Sequence, residues 1–240
     1  MPIFLDTGNL GEIELFHGLG VIRGVTTNPS ILLKEGVRGG LEAIERVSRR
    51  IAERIAPYPL SVEVTTNQPE EMFEQACRLA GWAENIVVKI TIHGPDGELD
   101  NLRVIHELEQ RGVRVNATAM MSAQQGLAAA LSGASYVSIF GGRINNMGYN
   151  AAGEIEKLRA TLDRLDLPAR IIVGSTREVL NVIEWLAAGA HIVTVTPDLL
   201  RGMIVHPYSK ETVRQFLRDA RRAESEAQAE IEQWAAAARS

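Results

Sequence analysis

Eight short apolar runs punctuate the chain, and between them apolar residues recur at the three- and four-residue spacing of helices. The runs are rich in β-branched residues, which is typical of strands buried on both faces of a parallel sheet. Strand–helix alternation with short connections implies parallel strands joined by helical crossovers. The apolar runs are Ile3–Leu5, Val21–Thr26, Leu60–Val64, Ile86–Ile90, Val113–Asn116, Tyr136–Phe140, Ile171–Val173 and His191–Val195.

The number of these units predicts one α/β architecture. Eight strand–helix units in about 200 residues match the (β/α)8 or TIM barrel, near the lower end of its size range. A doubly wound open sheet is the main alternative, and it would carry a glycine-rich phosphate turn after its first strand. The residues after the first run, Asp6-Thr7-Gly8-Asn9, are not such a turn. We therefore predict a barrel domain over residues 1–208.

Residues 209–240 have a different character. Phe216 and Leu217 belong to a short apolar face, which is followed by a stretch rich in Ala, Glu and Arg and then by a second apolar patch around Trp234. The composition predicts a helix. A surplus helix after the eighth unit either covers its own barrel or docks on a neighbouring subunit, and the polar middle favours docking on a neighbour.

Composition limits the classes of function. With 45% hydrophobic and 23% charged residues, the chain has the balance of a globular protein. Its net charge of −5 disfavours nucleic acid as a partner, and no apolar run reaches the ~18–20 residues that span a bilayer. The N-terminus has no signal-peptide core, and Cys77 is the single cysteine. We expect a cytoplasmic protein without membrane or nucleic-acid partners.

The fourth apolar run contains a residue that is out of place, Lys89. A buried ammonium group is costly and tends to lose its proton. The neutral amine that results is the nucleophile that forms Schiff bases with carbonyl substrates. The alternative is that Lys89 marks the end of its strand and reaches solvent.

Other polar residues follow the predicted strands, at the end of the barrel where active sites lie. Burying two carboxylates, a lysine, amides and hydroxyls together is costly without a ligand or a hydrogen-bond network, so the set favours a catalytic site. The strand-end residues are Asp6, Asn28, Glu63, Lys89, Asn116, Thr118, Ser138, Ser175 and Thr194.

The residue types suggest separate tasks at this site. Lys89 can attack a ketone, and Asp6 can accept the proton of a hydroxyl group whose carbon–carbon bond is breaking. Glu63 and Thr118 can hold a water molecule that moves protons. An alternative for Asn28 is an ordinary strand-to-helix turn in which Ser30 caps the helix. The residues suited to holding the hydroxyls of a dihydroxyacetone fragment are Asn28, Asn116 and Ser138.

Two arginines predict an anion site. Arg143 follows Phe140-Gly141-Gly142, and Arg177 follows Gly174-Ser175-Thr176 where a helix is expected to begin. Glycine-rich loops, a helix N-terminus and guanidinium groups bind anions, and barrel enzymes often hold phosphate after the late strands. Each arginine taken singly has an alternative as a solvated surface residue.

The chain resembles the transaldolase family, in the short branch that includes fructose-6-phosphate aldolase. The resemblance extends from Met1 to about Phe216. The segments that carry it are Asp6-Thr7, Gly24-Val25-Thr26-Thr27-Asn28-Pro29-Ser30, Val62-Glu63-Val64, Val87-Val88-Lys89-Ile90, Asn116-Ala117-Thr118, Ser138-Ile139-Phe140-Gly141-Gly142-Arg143, Ser175-Thr176-Arg177 and His206-Pro207.

The resemblance implies a role for each site residue. Lys89 corresponds to the catalytic lysine, Asp6 and Glu63 to the family's two acids, and Thr118 to its water-holding threonine. The resemblance further implies sugar phosphate substrates, no metal or organic cofactor, and a homopentamer or homodecamer. The residues that correspond to the dihydroxyacetone-binding set are Asn28, Asn116 and Ser138. The residues that correspond to the phosphate-binding set are Arg143, Ser175 and Arg177.

Two positions favour transfer over cleavage. The aldolases of the branch carry glutamine where this chain has Glu63 and tyrosine where it has Phe140. We therefore predict a transaldolase of the pentose phosphate pathway, which moves dihydroxyacetone from sedoheptulose 7-phosphate or fructose 6-phosphate to an aldose phosphate. Departures from the family pattern, such as Thr91 and Asn145-Asn146, leave the natural sugars open. The alternatives are a fructose-6-phosphate aldolase, a sulfofructose transaldolase and a non-catalytic sugar-phosphate-binding barrel.

Overall fold

The computed structural model describes residues 2–239. Within them, eight parallel strands close into a barrel in chain order, which confirms the predicted (β/α)8 fold. The ring closes because β1 pairs with both β2 and β8, so that Leu5 lies opposite Val25 on one side and Val195 on the other. The strands are β1 Ile3–Asp6, β2 Val25–Thr26, β3 Leu60–Glu63, β4 Ile86–Thr91, β5 Val115–Met120, β6 Tyr136–Ile139, β7 Arg170–Val173 and β8 Ile192–Val195.

Helices follow each strand, and some connections contain two. The short helices α2 and α7 lie directly after β2 and β6, ahead of the longer crossover helices, and were not expected from the apolar periodicity. The helices are α1 Leu10–Gly18, α2 Pro29–Lys34, α3 Gly40–Ile55, α4 Pro69–Ala80, α5 Asp100–Gln110, α6 Ala123–Leu131, α7 Gly141–Asn146, α8 Ala151–Arg164, α9 Val179–Ala187, α10 Pro197–Ile204 and α11 Pro207–Ala237.

Two strands differ from their predicted bounds by more than one residue. Strand β2 begins at Val25, not at Val21, which is exposed and follows the left-handed Gly20. Strand β5 begins later than predicted and extends to Met120. Its ladder with β6 shifts register between Ala117 and Met120, a bulge that the polar Asn-Ala-Thr-Ala pattern did not reveal.

The barrel interior is layered. Side chains alternate between the two faces of a strand, so residues two apart point the same way. A buried apolar cluster fills one level of the barrel, and two residues further along each of its strands stands a residue that lines a cavity. The cluster consists of Phe4, Val87, Tyr136, Ile172 and Ile192. The residues two positions on are Asp6, Lys89, Ser138, Gly174 and Thr194. The apolar layer is therefore the floor on which the polar layer rests.

The chain divides into two compact units, one ending at Leu199 and the other beginning at Leu200. The second unit contains α11, a helix of 31 residues, so the predicted helical character of residues 209–240 is observed as far as Ala237. Its apolar side chains are exposed, with Phe216 at 65% and Trp234 at 75%. Packing on a neighbouring subunit and the boundary at residue 208 stay predictions. Among the helices of residues 2–239, none combines the length and the apolarity needed to cross a bilayer.

A pair of glycine variants tests the tight packing of the outer helices. A Cβ atom on Gly126 in α6 would lie 2.5 Å from Cδ2 of the buried Leu158 in α8, whereas one on Gly18 in α1 meets nothing within 4 Å. Both positions gain helix propensity from alanine. We expect Gly126→Ala to be less stable than Gly18→Ala by about 1–3 kcal/mol, the cost of overpacking. Urea unfolding of both variants measures the difference, and equal stabilities would contradict the prediction.

Candidate active site

A cavity with a volume of about 230 Å³ opens where the strands end. A concave site with a few convergent polar groups is the usual place for a small molecule to bind. The cavity brings together every residue of the predicted site except Glu63, which contacts Lys89 from the side. The predicted residues that line it are Asp6, Asn28, Lys89, Asn116, Thr118, Ser138, Phe140, Arg143, Ser175 and Arg177.

Lys89 is buried, with 5% of its surface exposed, which overturns the alternative that it reaches solvent. Its Nζ lies 3.1 Å from Glu63 Oε2 and donates to the carbonyl oxygen of Thr27 at 3.1 Å. The carboxylate is in place because Glu63 and Lys89 are direct partners in the β3–β4 ladder. A buried cation needs such a partner, and Glu63 is within reach to remove the proton of the amine.

Asp6 ends β1 and belongs to a chain of hydroxyl groups. Thr26 Oγ1 donates to Asp6 Oδ1 at 2.7 Å and lies 2.6 Å from Thr194 Oγ1. A hydroxyl group has one hydrogen, so Thr194 must be the donor to Thr26. Burial raises the pKa of Asp6 above its ordinary 3.8, against the Thr26 hydrogen bond and the charge of Lys89, while the charge of Glu63 adds to the rise. A carboxyl group with a raised pKa is suited to exchanging protons.

Asn116 is held from two sides. Its Nδ2 donates to Ser61 Oγ at 3.1 Å, and its Oδ1 accepts from Ser138 Oγ at 2.7 Å. These bonds link β3, β5 and β6 beneath the cavity. Ser61 was missed by the sequence reasoning because it lies inside an apolar run and supports the site without lining it.

Thr118 stands at the bulge in β5. The next residue, Ala119, has a φ of 63°, which is uncommon for a residue other than glycine and marks the irregular backbone. Thr118 Oγ1 is buried and has no hydrogen-bond partner among residues 2–239. Both the donor and the acceptor capacity of this hydroxyl are therefore available to a bound molecule.

Asn28 serves as a helix cap as well as lining the cavity. Its Oδ1 accepts from Ile31 N at 2.9 Å, and Pro29 occupies the first turn of α2. The alternative in which Ser30 caps this helix is therefore wrong, because the proline belongs in the first turn and the cap must precede it. The cap uses the Asn28 oxygen and leaves its amide hydrogens available to the cavity.

The loops after β6 and β7 lie unusually close together. A Cβ atom on Gly142 would fall 1.8 Å from the carbonyl oxygen of Ser175, so only glycine permits this approach. Ser175 itself has a left-handed φ of 59°. The approach brings Arg143 and Arg177 into one wall, where the Arg143 guanidinium lies 5.2 Å from the centre of the Phe140 ring. Within residues 2–239, neither arginine has a carboxylate at ion-pair distance.

Five lining residues were not named as site residues from the sequence, namely Thr26, Gly174 and three residues of α2. Thr26 could have been found from its register with Asp6, but only once the barrel order was known. Ser30, Ile31 and Lys34 lie on α2, which the apolar periodicity did not predict. In the part of the chain that the structure describes, no three His, Cys, Asp or Glu side chains are grouped as a metal-ligand set.

A lysine amine, a carboxyl group with a raised pKa and two guanidinium groups without a carboxylate partner among residues 2–239 face one cavity at the strand ends, which is the arrangement of a barrel enzyme. Comparison with known proteins gives its family. Residues 3–239 match the family model described as Transaldolase/Fructose-6-phosphate aldolase. The chain therefore belongs to the transaldolase/fructose-6-phosphate aldolase family.

Individual relatives agree with this assignment. A protein of Desulforudis audaxviator (strain MP104C), named probable transaldolase, is 40% identical over 222 residues, which cover 91% of this chain and 97% of the relative. A probable transaldolase 2 of Listeria monocytogenes serovar 1/2a is 38% identical over 219 residues, 91% of this chain and 95% of the relative. A crystal structure provisionally named a phosphonomutase, from Burkholderia cenocepacia J2315, shares the fold at 18% identity, with a TM-score of 0.60 over 89% of this chain and 94% of that one.

Removing the hydrogen bond to Asp6 should change the titration of its carboxyl group. The Thr26 hydroxyl lowers the pKa of Asp6 against the rise that burial causes. Thr26→Val should therefore raise that pKa further, so that Asp6 is protonated over a wider range of acidic pH. The matched control is Thr27→Val, which removes a buried hydroxyl that donates to Ser61 O and does not touch Asp6. Carboxyl NMR titration measures both variants, and an unchanged or lowered pKa of Asp6 in Thr26→Val would contradict the prediction.

Proposed function

We propose that the protein is a transaldolase that carries a dihydroxyacetone unit on Lys89 as a Schiff base. The observation that supports this most directly is the Lys89 amine, buried beneath a cavity and 3.1 Å from Glu63 Oε2. A lysine with a proton acceptor at this distance can become the neutral nucleophile that attacks a ketone. Family membership and relatives named probable transaldolase agree with the proposal.

The first step joins the donor ketose to the enzyme. Glu63 takes a proton from the Lys89 ammonium, and the neutral Nζ attacks C2 of the ketose, so that a carbinolamine forms. A proton passes from the nitrogen to the C2 oxygen in the carbinolamine. The C2 hydroxyl then receives the proton that Glu63 took and leaves as water, and the nitrogen lone pair forms the double bond of an iminium ion to C2. Thr118, with its unpaired buried hydroxyl, is placed to hold the water that moves between Glu63 and the substrate.

The second step breaks the C3–C4 bond. The Asp6 carboxylate takes the proton of the C4 hydroxyl, the C4 oxygen forms a carbonyl, and the bonding electron pair moves through C3 and C2 to the iminium nitrogen. An aldose phosphate leaves, and a three-carbon enamine remains on Lys89. The enamine then attacks an acceptor aldehyde, and Asp6 returns its proton to the new hydroxyl. A raised pKa of Asp6 suits both directions, because the same group must accept and donate.

The substrates are sugar phosphates in this proposal. Asn116 and Ser138, fixed by their mutual hydrogen bond, hold the hydroxyls of the three-carbon unit. Arg143, Ser175 and Arg177 bind the phosphate through charge-assisted hydrogen bonds. The expected donors are sedoheptulose 7-phosphate and fructose 6-phosphate.

The oligomer and the location complete the proposal. We infer that the exposed apolar residues of α11, including Phe216 and Trp234, pack on a neighbouring subunit in a homopentamer or homodecamer. The single cysteine fits a cytoplasmic location.

Trapping the Schiff base tests the nucleophile. Borohydride added with fructose 6-phosphate should leave a sugar or three-carbon adduct on Lys89, because reduction fixes the carbon–nitrogen bond. Lys89→Met should lose the adduct and should lower turnover by several orders of magnitude. Peptide mass mapping locates the adduct, and Lys157→Met is the control that should keep it. An adduct on Lys34, which lines the same cavity, would assign the chemistry to a different lysine.

A second variant tests transfer against cleavage. Phe140 lines the cavity and offers no hydroxyl with which to protonate the enamine. Phe140→Tyr should raise the release of free dihydroxyacetone from fructose 6-phosphate and lower transfer to an acceptor aldehyde. The measurement is dihydroxyacetone formed with and without acceptor, in wild type and variant. If the wild type already releases dihydroxyacetone as fast as it transfers it, the protein is an aldolase.

A further inference from the structure

Lys34 is a cation at the mouth of the cavity. Neither the fold nor the proposed chemistry assigns it a role. It is exposed, it ends α2, and it lines the same cavity as Lys89, Arg143 and Arg177. Among residues 2–239 it has no carboxylate at ion-pair distance. Its neighbour Glu35 is engaged elsewhere, since Glu35 Oε2 accepts from Asn9 Nδ2 at 3.2 Å.

The helix that carries Lys34 is anchored to the site. Asn28 caps its first turn, and Leu32 is buried. The backbone of Gly8, just after β1, lies so close that a Cβ atom there would be 2.9 Å from Leu32 Cδ2. Ser30, Ile31 and Lys34, at helical spacing, form the face of α2 that lines the cavity. The position of Lys34 is therefore set by residues of the site itself.

The charges around the cavity are unbalanced. Four cations, namely Lys34, Lys89, Arg143 and Arg177, stand against two carboxylates, Asp6 and Glu63, which leaves an excess of two positive charges when all six are ionised. The whole chain carries −5. A positive cavity in a negative protein attracts anions selectively, and Lys34 contributes half of that excess.

The strand order places Lys34 opposite the two arginines. In the proposed function, Asp6 at the end of β1 takes the C4 hydroxyl proton, and the carbons beyond C4 extend from there toward the phosphate-binding residues of the same cavity. The loop after β1 is the one on which α2 packs. Arg143 and Arg177 follow β6 and β7, whereas Lys34 follows β2, and β2 and β6 are four strands apart in the closed ring. Lys34 thus faces the two arginines across the mouth.

We propose that Lys34 is a specificity-determining residue that contacts the terminal phosphate from the side opposite Arg143 and Arg177. The inference rests on the proposed function for the path of the sugar. The three terminal oxygens of a phosphate dianion can accept more hydrogen bonds than two bidentate guanidinium groups on one wall donate. The ammonium on its four-carbon stem can reach the remaining face. Lys34 would thereby favour phosphorylated over uncharged acceptors.

Steady-state kinetics on the full chain test this role. In Lys34→Gln, the KM for glyceraldehyde 3-phosphate should rise roughly three- to tenfold, between the effect of an exposed charge pair and that of a charge-assisted hydrogen bond. The KM for free glyceraldehyde should change by much less, and Lys34→Arg should restore most of the loss. Lys157→Gln removes the same charge on α8, away from the cavity, and is the matched control. Equal rises for both aldehydes, or a rise no larger than in the control, would overturn the proposal.

Binding of inorganic phosphate separates this inference from the proposed function. Calorimetric titration should give weaker phosphate binding in Lys34→Gln than in wild type or Lys157→Gln, by a similar factor. This readout needs no turnover. If borohydride traps no adduct on Lys89, the transaldolase proposal fails, while a phosphate affinity that depends on Lys34 still supports the anion contact. Identical phosphate affinities in wild type and Lys34→Gln would overturn the role of Lys34 whatever the reaction.

Discussion

The ion pair between Lys89 and Glu63 is the interaction on which the site depends. A buried ammonium is tolerable only beside a counter-charge, and the pairing register of β3 and β4 puts the carboxylate directly opposite the lysine. The same register places the proton acceptor next to the nucleophile. The one contact thus both stabilises the buried charge of Lys89 and prepares its amine for reaction. A shift of β3 by one residue would remove both effects, because alternate residues face opposite sides of the sheet.

The layered interior explains why so much polarity can be gathered without loss of the fold. The apolar floor, Phe4, Val87, Tyr136, Ile172 and Ile192, fills the barrel and fixes the strands. The two-residue period of the strands places the polar layer above this floor, and hydrogen bonds within the layer, such as the one from Ser138 to Asn116, then fix the side chains.

Much of the fold and the site could be predicted because both follow from local pattern. A run of β-branched residues predicts a buried parallel strand, and a lysine within such a run is easy to recognise. The parts that sequence reasoning missed depend on three-dimensional neighbours. Thr26 gains its role from the strand register. Thr118 was predicted, but the bulge in β5 on which it lies has no local signature. Helix α2 is too short for its periodicity to show, so Lys34 could not be connected with the cavity.

The raised pKa of Asp6 also has a thermodynamic consequence. A group whose pKa is higher in the folded than in the unfolded chain stabilises the fold fully below its unfolded value, and that contribution is lost as pH rises through the folded value. Ionised Asp6 therefore lowers the stability of the folded state, and the hydrogen bond from Thr26 offsets part of that loss. A ligand hydroxyl that donates to the carboxylate offsets more of it. Ligand binding and resistance to unfolding are thereby linked through one proton.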